Sequence, residues 1–170
     1  FNKKSGKSTT VYKRFNDSAN SSDIKKNVFN NLKIIGKKII FDQKKVILLN
    51  QIHSDKFYYI DKKSKLNNFK FYGDALITNI SNTPIGVLTA DCAPILLFDK
   101  QMKMTAAIHA GWKGAYKGII KKVVKFMIKK GCSPSNITAV IGPCISLKSY
   151  EVKQDFIKKF IKKNLKNITF

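Results

Sequence analysis

Short apolar segments alternate with polar turns through the middle of the chain, and the spacing of the apolar positions changes near residue 115. Runs of four to eight apolar residues bounded by turn-forming residues are typical of buried strands. Turn-forming residues at 81–84 and 99–100 separate such runs here. The pattern predicts strands at residues 46–50, 56–60, 75–78, 85–89, 94–98, 105–109 and 137–141.

Three other segments have apolar residues at the spacing of an amphipathic helix. One begins at Ala115, places its lysines on the opposite face, and ends before Gly131 and Pro134. A second covers residues 153–165, and a third follows the capping residue Asp23. Since strands alternate with helices, we predict a mixed α/β domain.

The length of 170 residues suffices for one domain with a buried core. No apolar run approaches the roughly 18 residues that crossing a bilayer needs, so we expect no membrane partner. The N-terminus has no apolar signal region, and the three cysteines follow no disulfide framework. These features favour a reducing, cytoplasmic location.

The formal charge of +23 raises the alternative of a basic nucleic-acid-binding module. However, Arg14 is the single arginine among 33 basic residues, and lysine lacks the planar fork that reads bases and phosphates. The abundant lysine, asparagine and isoleucine share A/T-rich codons. We therefore interpret the charge mainly as a composition bias and expect no specific nucleic-acid partner.

The chain has two histidines, His53 and His109, and a cysteine between them, Cys92, which follows a predicted strand. Taken singly, each fits a structural role, since free cysteine and packed histidine are common in cores. Together, a thiolate and two imidazoles are suitable zinc ligands that leave a fourth position open. The alternative is a metal-independent cysteine hydrolase, in which Cys92 is the nucleophile and a histidine is the base.

Several motifs occur in one order along the chain and carry a family resemblance. They are Asn50-Gln51-Ile52-His53, Gly73-Asp74-Ala75-Leu76-Ile77-Thr78, Thr89-Ala90-Asp91-Cys92-Ala93-Pro94, Ile108-His109-Ala110-Gly111-Trp112-Lys113-Gly114 and Ile141-Gly142-Pro143-Cys144-Ile145. This order resembles the bacterial purine nucleoside phosphorylase family once called laccase-domain or multicopper polyphenol oxidase proteins, which includes the macrophage immunometabolic relative. The resemblance covers nearly all of residues 5–152.

The resemblance implies an α/β/β/α sandwich, in which two packed mixed β layers are flanked by helices. It also implies a metal, zinc or alternatively copper, held by His53, Cys92 and His109. The implied activity is phosphorolysis of adenosine, inosine and methylthioadenosine, with phosphate as co-substrate and adenosine deaminase activity alongside. Relatives continue beyond this length, so we expect residues 1–170 to be a single catalytic domain that lacks the C-terminal segment. The oligomeric state is left open.

Further roles at this site are hypotheses about four residues. Asp91 or Asp74 is a candidate for proton transfer or for orienting a histidine, and Asp74 is also a candidate for contacting substrate. Alternatively, both carboxylates cap turns at strand ends. Gly111 and Lys113 are candidates for binding phosphate. A laccase-type centre needs about ten histidine ligands, because copper prefers imidazole. The two histidines of this chain are too few to form one.

Overall fold

The computed structural model describes residues 6–9, 16, 21–40, 46–64 and 71–164. It contains the helix α1 (Lys25–Ile40), the strands β1 (Phe57–Ile60), β2 (Ala75–Thr78), β3 (Ala93–Asp99) and β4 (Met104–Ala110), the helices α2 (Trp112–Lys117) and α3 (Ile119–Lys129), the strand β5 (Ile137–Ile141) and the helix α4 (Gln154–Lys163). Single 3-10 turns precede β5 and α4. The predicted mixed α/β class is confirmed.

The five strands form one sheet in the order β1-β2-β4-β3-β5. β1 and β2 are parallel, and the other neighbouring pairs are antiparallel. β3 and β4 form a hairpin in which Pro94 lies opposite His109. Because Cys92 immediately precedes β3, this register brings the start of β3 and the end of β4 to the same edge of the sheet.

The main core lies between one face of the sheet and α3. Ile119, Val123 and Met127 lie at four-residue spacing on α3, and each is completely buried. They pack against buried residues of β2 and β4, including Ile77 and Ile108. Burial of each such aliphatic side chain stabilises the fold by about 1.5–3 kcal/mol, so this face fixes the position of β4 and of His109 within it.

The second β layer is irregular within the described residues. Isolated parallel bridges join Ile47 to Ile85 and Asn50 to Tyr72. Side chains of these segments cover the other face of the sheet around Leu76. The predicted strands at 46–50 and 85–89 are therefore wrong as regular strands, because their backbone pairing is limited to single bridges and the amide of Leu88 pairs with a side chain instead.

The helix predicted from Ala115 is also different in the structure. It begins earlier, at Trp112, and is divided at Gly118, whose φ of 82° is left-handed and ends α2. Glycine adopts this conformation without the Cβ clash that other residues meet, which explains the break. α4 packs on α2 through aromatic pairs, with ring centroids 5.2 Å apart for Trp112–Phe156 and 5.1 Å apart for Tyr116–Phe160.

Candidate metal centre

Three side chains from three chain segments meet at one edge of the sheet. His53 lies in the loop before β1, Cys92 immediately precedes β3, and His109 is in β4. Their ligand atoms all lie within 4.8 Å of one another. Sγ of Cys92 is 3.9 Å from Nε2 of His53, and the two imidazole centroids are 4.9 Å apart with planes at 78°. The structure thus brings together the three predicted ligands.

The three side chains differ in their access to solvent. His109 is buried, with 3% of its surface exposed, Cys92 is half-buried, and His53 is exposed. The group is therefore closed on the side of the sheet and open on the side of the His53 loop. A site with three protein ligands and one open side can accept water or a substrate atom in the fourth position.

A completely buried carboxylate, that of Asp74, lies behind His109. Its Oδ1 is 2.9 Å from Nδ1 of the imidazole, and the backbone N–H of His109 donates to the Asp74 carbonyl at 2.7 Å. An Asp74 carboxylate that accepts from Nδ1–H leaves Nε2 as the free nitrogen of His109. Carboxylate–histidine pairs of this kind fix the tautomer and ring orientation of metal-binding histidines.

The same carboxylate also holds the loop that carries His53. Oδ1 of Asp74 accepts the His53 N–H at 3.0 Å, and Oδ2 accepts the N–H and hydroxyl of Ser54 at 2.6 and 2.7 Å. Burial raises the pKa of Asp74, but the hydrogen bonds from His109 and Ser54 together lower it by more than burial raises it. The net pKa therefore lies below its usual range. These bonds accompany an unusual His53 backbone, with φ of 54°. The buried oxygens of Asp74 therefore contact the segments of both histidines.

Gly111 provides the space in which the three side chains meet. A Cβ at this position would lie 2.8 Å from Cδ2 of His53, 3.1 Å from Sγ of Cys92 and 3.6 Å from Cε1 of His109. Contacts below about 3.0 Å require a shift of the neighbour, and here the nearest neighbour is a ring. Glycine is thus required by close approach rather than by backbone conformation, since its φ is −68°.

The electrostatic surroundings of Cys92 favour the thiol in the metal-free protein. Burial raises the pKa of Cys92, and the negative charges of Asp91 and Asp74 raise it further. A cysteine nucleophile needs the opposite shift. This direction weighs against metal-independent thiol catalysis, whereas a bound cation would offset the same effect by stabilising the thiolate.

The other two predicted residues, Asp91 and Lys113, lie within four residues of Cys92 and His109 in the sequence. Asp91 is exposed and its carbonyl accepts the Ile145 N–H at 2.9 Å, which ties the Cys92 segment to the turn after β5. Lys113 is exposed in the first turn of α2, and its Nζ lies 5.7 Å from the Trp112 ring centroid. Both are accessible from solvent, and neither is held in contact with the three ligands by a described hydrogen bond.

The three donors fit a zinc-type ion in chemistry, since zinc binds imidazole nitrogen and thiolate sulfur. Their ligand atoms lie within 4.8 Å of one another, so the three side chains would close in on an ion bound between them. The described residues offer this group as a candidate metal site.

Sequence reasoning did not single out Ser54 and Gln51, whose side chains make hydrogen bonds next to the site. Ser54 is buried against Asp74, and the side chain of Gln51 binds the backbone of Leu88. Their closeness to His53 in the sequence is the one feature that could have indicated a role at the site. Their partners lie 20 and 37 residues away, so local patterns do not identify them.

Comparisons with known proteins identify relatives of this chain. A purine nucleoside phosphorylase of Rickettsia conorii is 35% identical over 162 residues, which are 93% of this chain and 65% of that protein. One of Aquifex aeolicus is 43% identical over 125 residues, which are 73% of this chain and 56% of that protein. The crystal structure of Bacillus licheniformis hypothetical protein YfiH matches with a TM-score of 0.85 at 28% identity, covering 96% of this chain and 63% of that chain.

The chain thus spans less than two thirds of the length of each of these three proteins. The family described as multi-copper polyphenol oxidoreductase laccase matches residues 1–169. Because that match extends over almost all 170 residues, the chain belongs to the multi-copper polyphenol oxidoreductase laccase family.

Proposed function

We propose that this protein is a purine nucleoside phosphorylase that works at a metal centre formed by His53, Cys92 and His109. The observation that carries the proposal is the convergence of these three ligand atoms within 4.8 Å at an open edge of the sheet. Support also comes from the relatives in Rickettsia conorii and Aquifex aeolicus, which are named purine nucleoside phosphorylases. The chain matches only part of the length of those relatives, so we propose the activity for the whole protein.

The protein's own residues have distinct roles in this proposal. The ion would be held by Nε2 of His109, an imidazole nitrogen of His53 and Sγ of Cys92. Asp74 orients His109 through Nδ1. Zinc is the ion we propose, because two imidazoles and a thiolate suit it, with copper as the alternative. When bound, the ion supplies Lewis-acid polarisation and lowers the pKa of a coordinated water.

The proposed substrates are adenosine, inosine and methylthioadenosine, together with phosphate. In phosphorolysis the bond between C1′ and the purine nitrogen breaks, a phosphate oxygen bonds to C1′, and the base leaves with a proton. We assign binding of phosphate to Lys113 and the backbone at Gly111, and proton transfer to Asp91, which is exposed beside Cys92. Holding phosphate against C1′ supplies the proximity that this displacement requires.

Adenosine deamination is the second activity that we propose for the site. Here water adds at C6 of the purine and ammonia leaves, so the products are inosine and ammonia. We propose that the purine edge approaches the three ligands from the open side of the group at His53. We propose that Asp91 is the general acid that donates a proton to the departing amino group.

Multi-copper oxidation, which the family description names, is disfavoured by the composition. A laccase-type centre uses several copper ions and about ten histidine ligands. The chain has two histidines, and both belong to one group. Nucleic-acid binding stays an alternative on charge alone, and no described helix is long and apolar enough to span a bilayer. We propose a cytoplasmic location.

The test is to measure bound metal and nucleoside products in the full chain and in two cysteine variants. Cys92→Ala should lose both bound zinc and the release of adenine and ribose 1-phosphate from adenosine and phosphate. Cys144→Ala is the matched control, because Cys144 is an exposed cysteine outside the trio. Full activity in Cys92→Ala, or activity that ignores chelators but is lost on alkylation, would contradict the proposal.

A further inference from the structure

The side chain of Gln51 pairs with the backbone of Leu88 through both of its amide groups. Nε2 donates to the Leu88 carbonyl at 2.7 Å, and Oε1 accepts the Leu88 N–H at 2.7 Å. Gln51 is two residues before His53, and Leu88 is four residues before Cys92. One side chain therefore joins the two segments that carry two of the three ligands.

This pair takes the place of a missing backbone connection between the same segments. Nearer the start of both segments, the Ile47 N–H donates to the Pro84 carbonyl at 2.8 Å, and the Gly86 N–H donates to the Ile47 carbonyl at 3.0 Å. Regular pairing does not continue beyond this bridge. Because a carboxamide has the same donor and acceptor as a peptide group, Gln51 adds one further pair, closer to the ligands than the last backbone bridge.

The position of Cys92 depends on what holds the chain on each side of it. Downstream, Cys92 is followed by β3, which pairs with β4 and β5. Upstream, residues 89–91 are exposed. His53 is held through Asp74 by the N–H groups of His53 and Ser54. The Gln51–Leu88 pair thus connects the upstream end of the Cys92 segment to the loop that Asp74 fixes.

We propose that Gln51 is a positioning residue that sets the separation between His53 and Cys92 for metal binding. The proposal rests on the proposed metal centre. Sγ of Cys92 and Nε2 of His53 are 3.9 Å apart, and both side chains retain access to solvent. Binding sites need their ligands held to within about 0.5 Å by surrounding hydrogen bonds, so loss of this pair would let the two ligands move apart.

The experiment uses the full chain with Gln51→Met, which keeps the side-chain length but removes both amide hydrogen bonds. Gln51→Glu is a second variant, which keeps an acceptor for the Leu88 N–H but places an oxygen against the Leu88 carbonyl. Gln101→Met is the matched control, because Gln101 accepts one side-chain hydrogen bond from Asn136 at 2.8 Å. It lies in the β3–β4 turn, at the opposite end of the hairpin from Cys92.

Three quantities are measured: zinc affinity by competition with a chromophoric chelator, the absorption spectrum of the cobalt(II) complex, and the melting temperature of the metal-free protein. Gln51→Met should bind zinc about 10- to 100-fold more weakly. Its cobalt complex should lose thiolate-to-cobalt absorption relative to the d–d bands, because Cys92 moves away from the ion. Its metal-free melting temperature should stay close to that of Gln101→Met. Gln51→Glu should weaken zinc in the same direction.

Other results would overturn the proposal. An unchanged zinc affinity and cobalt spectrum in Gln51→Met would show that the pair does not position Cys92. A weaker affinity with an unchanged thiolate-to-cobalt band, together with a much lower melting temperature in both Gln51 variants, would show a purely structural role. Failure of the unsubstituted protein to bind zinc or cobalt would reject the metal centre itself, and this proposal with it.

Discussion

The carboxylate of Asp74 lies 2.9 Å from Nδ1 of His109, and both side chains are buried. The same carboxylate accepts N–H groups from His53 and Ser54. One residue outside the ligand set therefore fixes the orientation of one histidine and the loop of the other. This arrangement explains how an exposed histidine and a buried histidine are brought together without neighbouring each other in sequence.

Replacing Asp74 by Asn should weaken both the fold and the metal site. The amide cannot accept all of the hydrogen bonds that the carboxylate accepts, so we expect a loss of about 1.5–3 kcal/mol in unfolding free energy. Zinc affinity should fall by roughly 10- to 100-fold. Urea denaturation and a metal competition titration measure the two effects. Asp61→Asn is the control, because Asp61 accepts hydrogen bonds in the turn after β1, away from Asp74.

Acid should destabilise the metal-free protein through Asp74. Its folded-state pKa is lowered, by hydrogen bonds from His109 and Ser54 that outweigh its burial. A depressed carboxyl stabilises the fold above its unfolded pKa of about 3.9, and this contribution is lost as pH falls through the lower folded pKa. The unfolding free energy should therefore decline below about pH 4, less steeply in Asp74→Asn. Equal slopes in the two proteins would contradict this assignment.

Gly111→Ala should abolish metal binding while the fold is retained. The added Cβ would lie 2.8 Å from the His53 ring and 3.1 Å from the Cys92 sulfur, so at least one ligand must move. Zinc content after gel filtration and the circular dichroism spectrum measure the two properties. Ala115→Ser, on the exposed face of α2, should keep its zinc. A Gly111→Ala protein with full zinc content would show that the site is roomier than the structure indicates.

The three cysteines should differ in their rates of alkylation by iodoacetamide. Cys144 is exposed and should react first, and half-buried Cys92 should react more slowly because burial raises its pKa. Burial and the charge of Asp99 raise the pKa of Cys132 to about 11, so it should react last. Mass spectrometry of peptides gives the rates. Added zinc should protect Cys92 and leave Cys144 unchanged, and protection of Cys144 alone would argue against the trio as the metal site.

Gly118→Ala should reduce the unfolding free energy by about 1–2 kcal/mol, measured by urea denaturation. Gly118 has a left-handed φ of 82°, which an L-residue adopts only with a clash between Cβ and the backbone. Apart from the neighbouring backbone, no atom lies within 4 Å of an added Cβ, so the expected loss comes from the local backbone conformation and not from packing against other residues. Gly118→Asn should lose less, because asparagine tolerates this conformation. Equal losses in the two variants would indicate another cause.

The amino-acid pattern alone predicted most element types and the three candidate ligands. β2 and β5 have the predicted bounds. The ends of β3, β4 and α4 differ from the predicted ends by one or two residues. Local hydrophobic periodicity carries this information, because strands and helices expose their apolar faces at different intervals. The ligands were predicted because the chain has two histidines, each within a motif of the resembling family.

The tertiary structure decided how these residues meet and what holds them. Asp74 binds His109 across 35 residues, and Gln51 binds Leu88 across 37 residues. Neither partner follows from local spacing, because each contact joins two segments that only the tertiary fold brings together. The short apolar runs at 46–50 and 85–89 resemble strands, but backbone pairing is limited to single bridges there, and a side chain completes the connection beside the site.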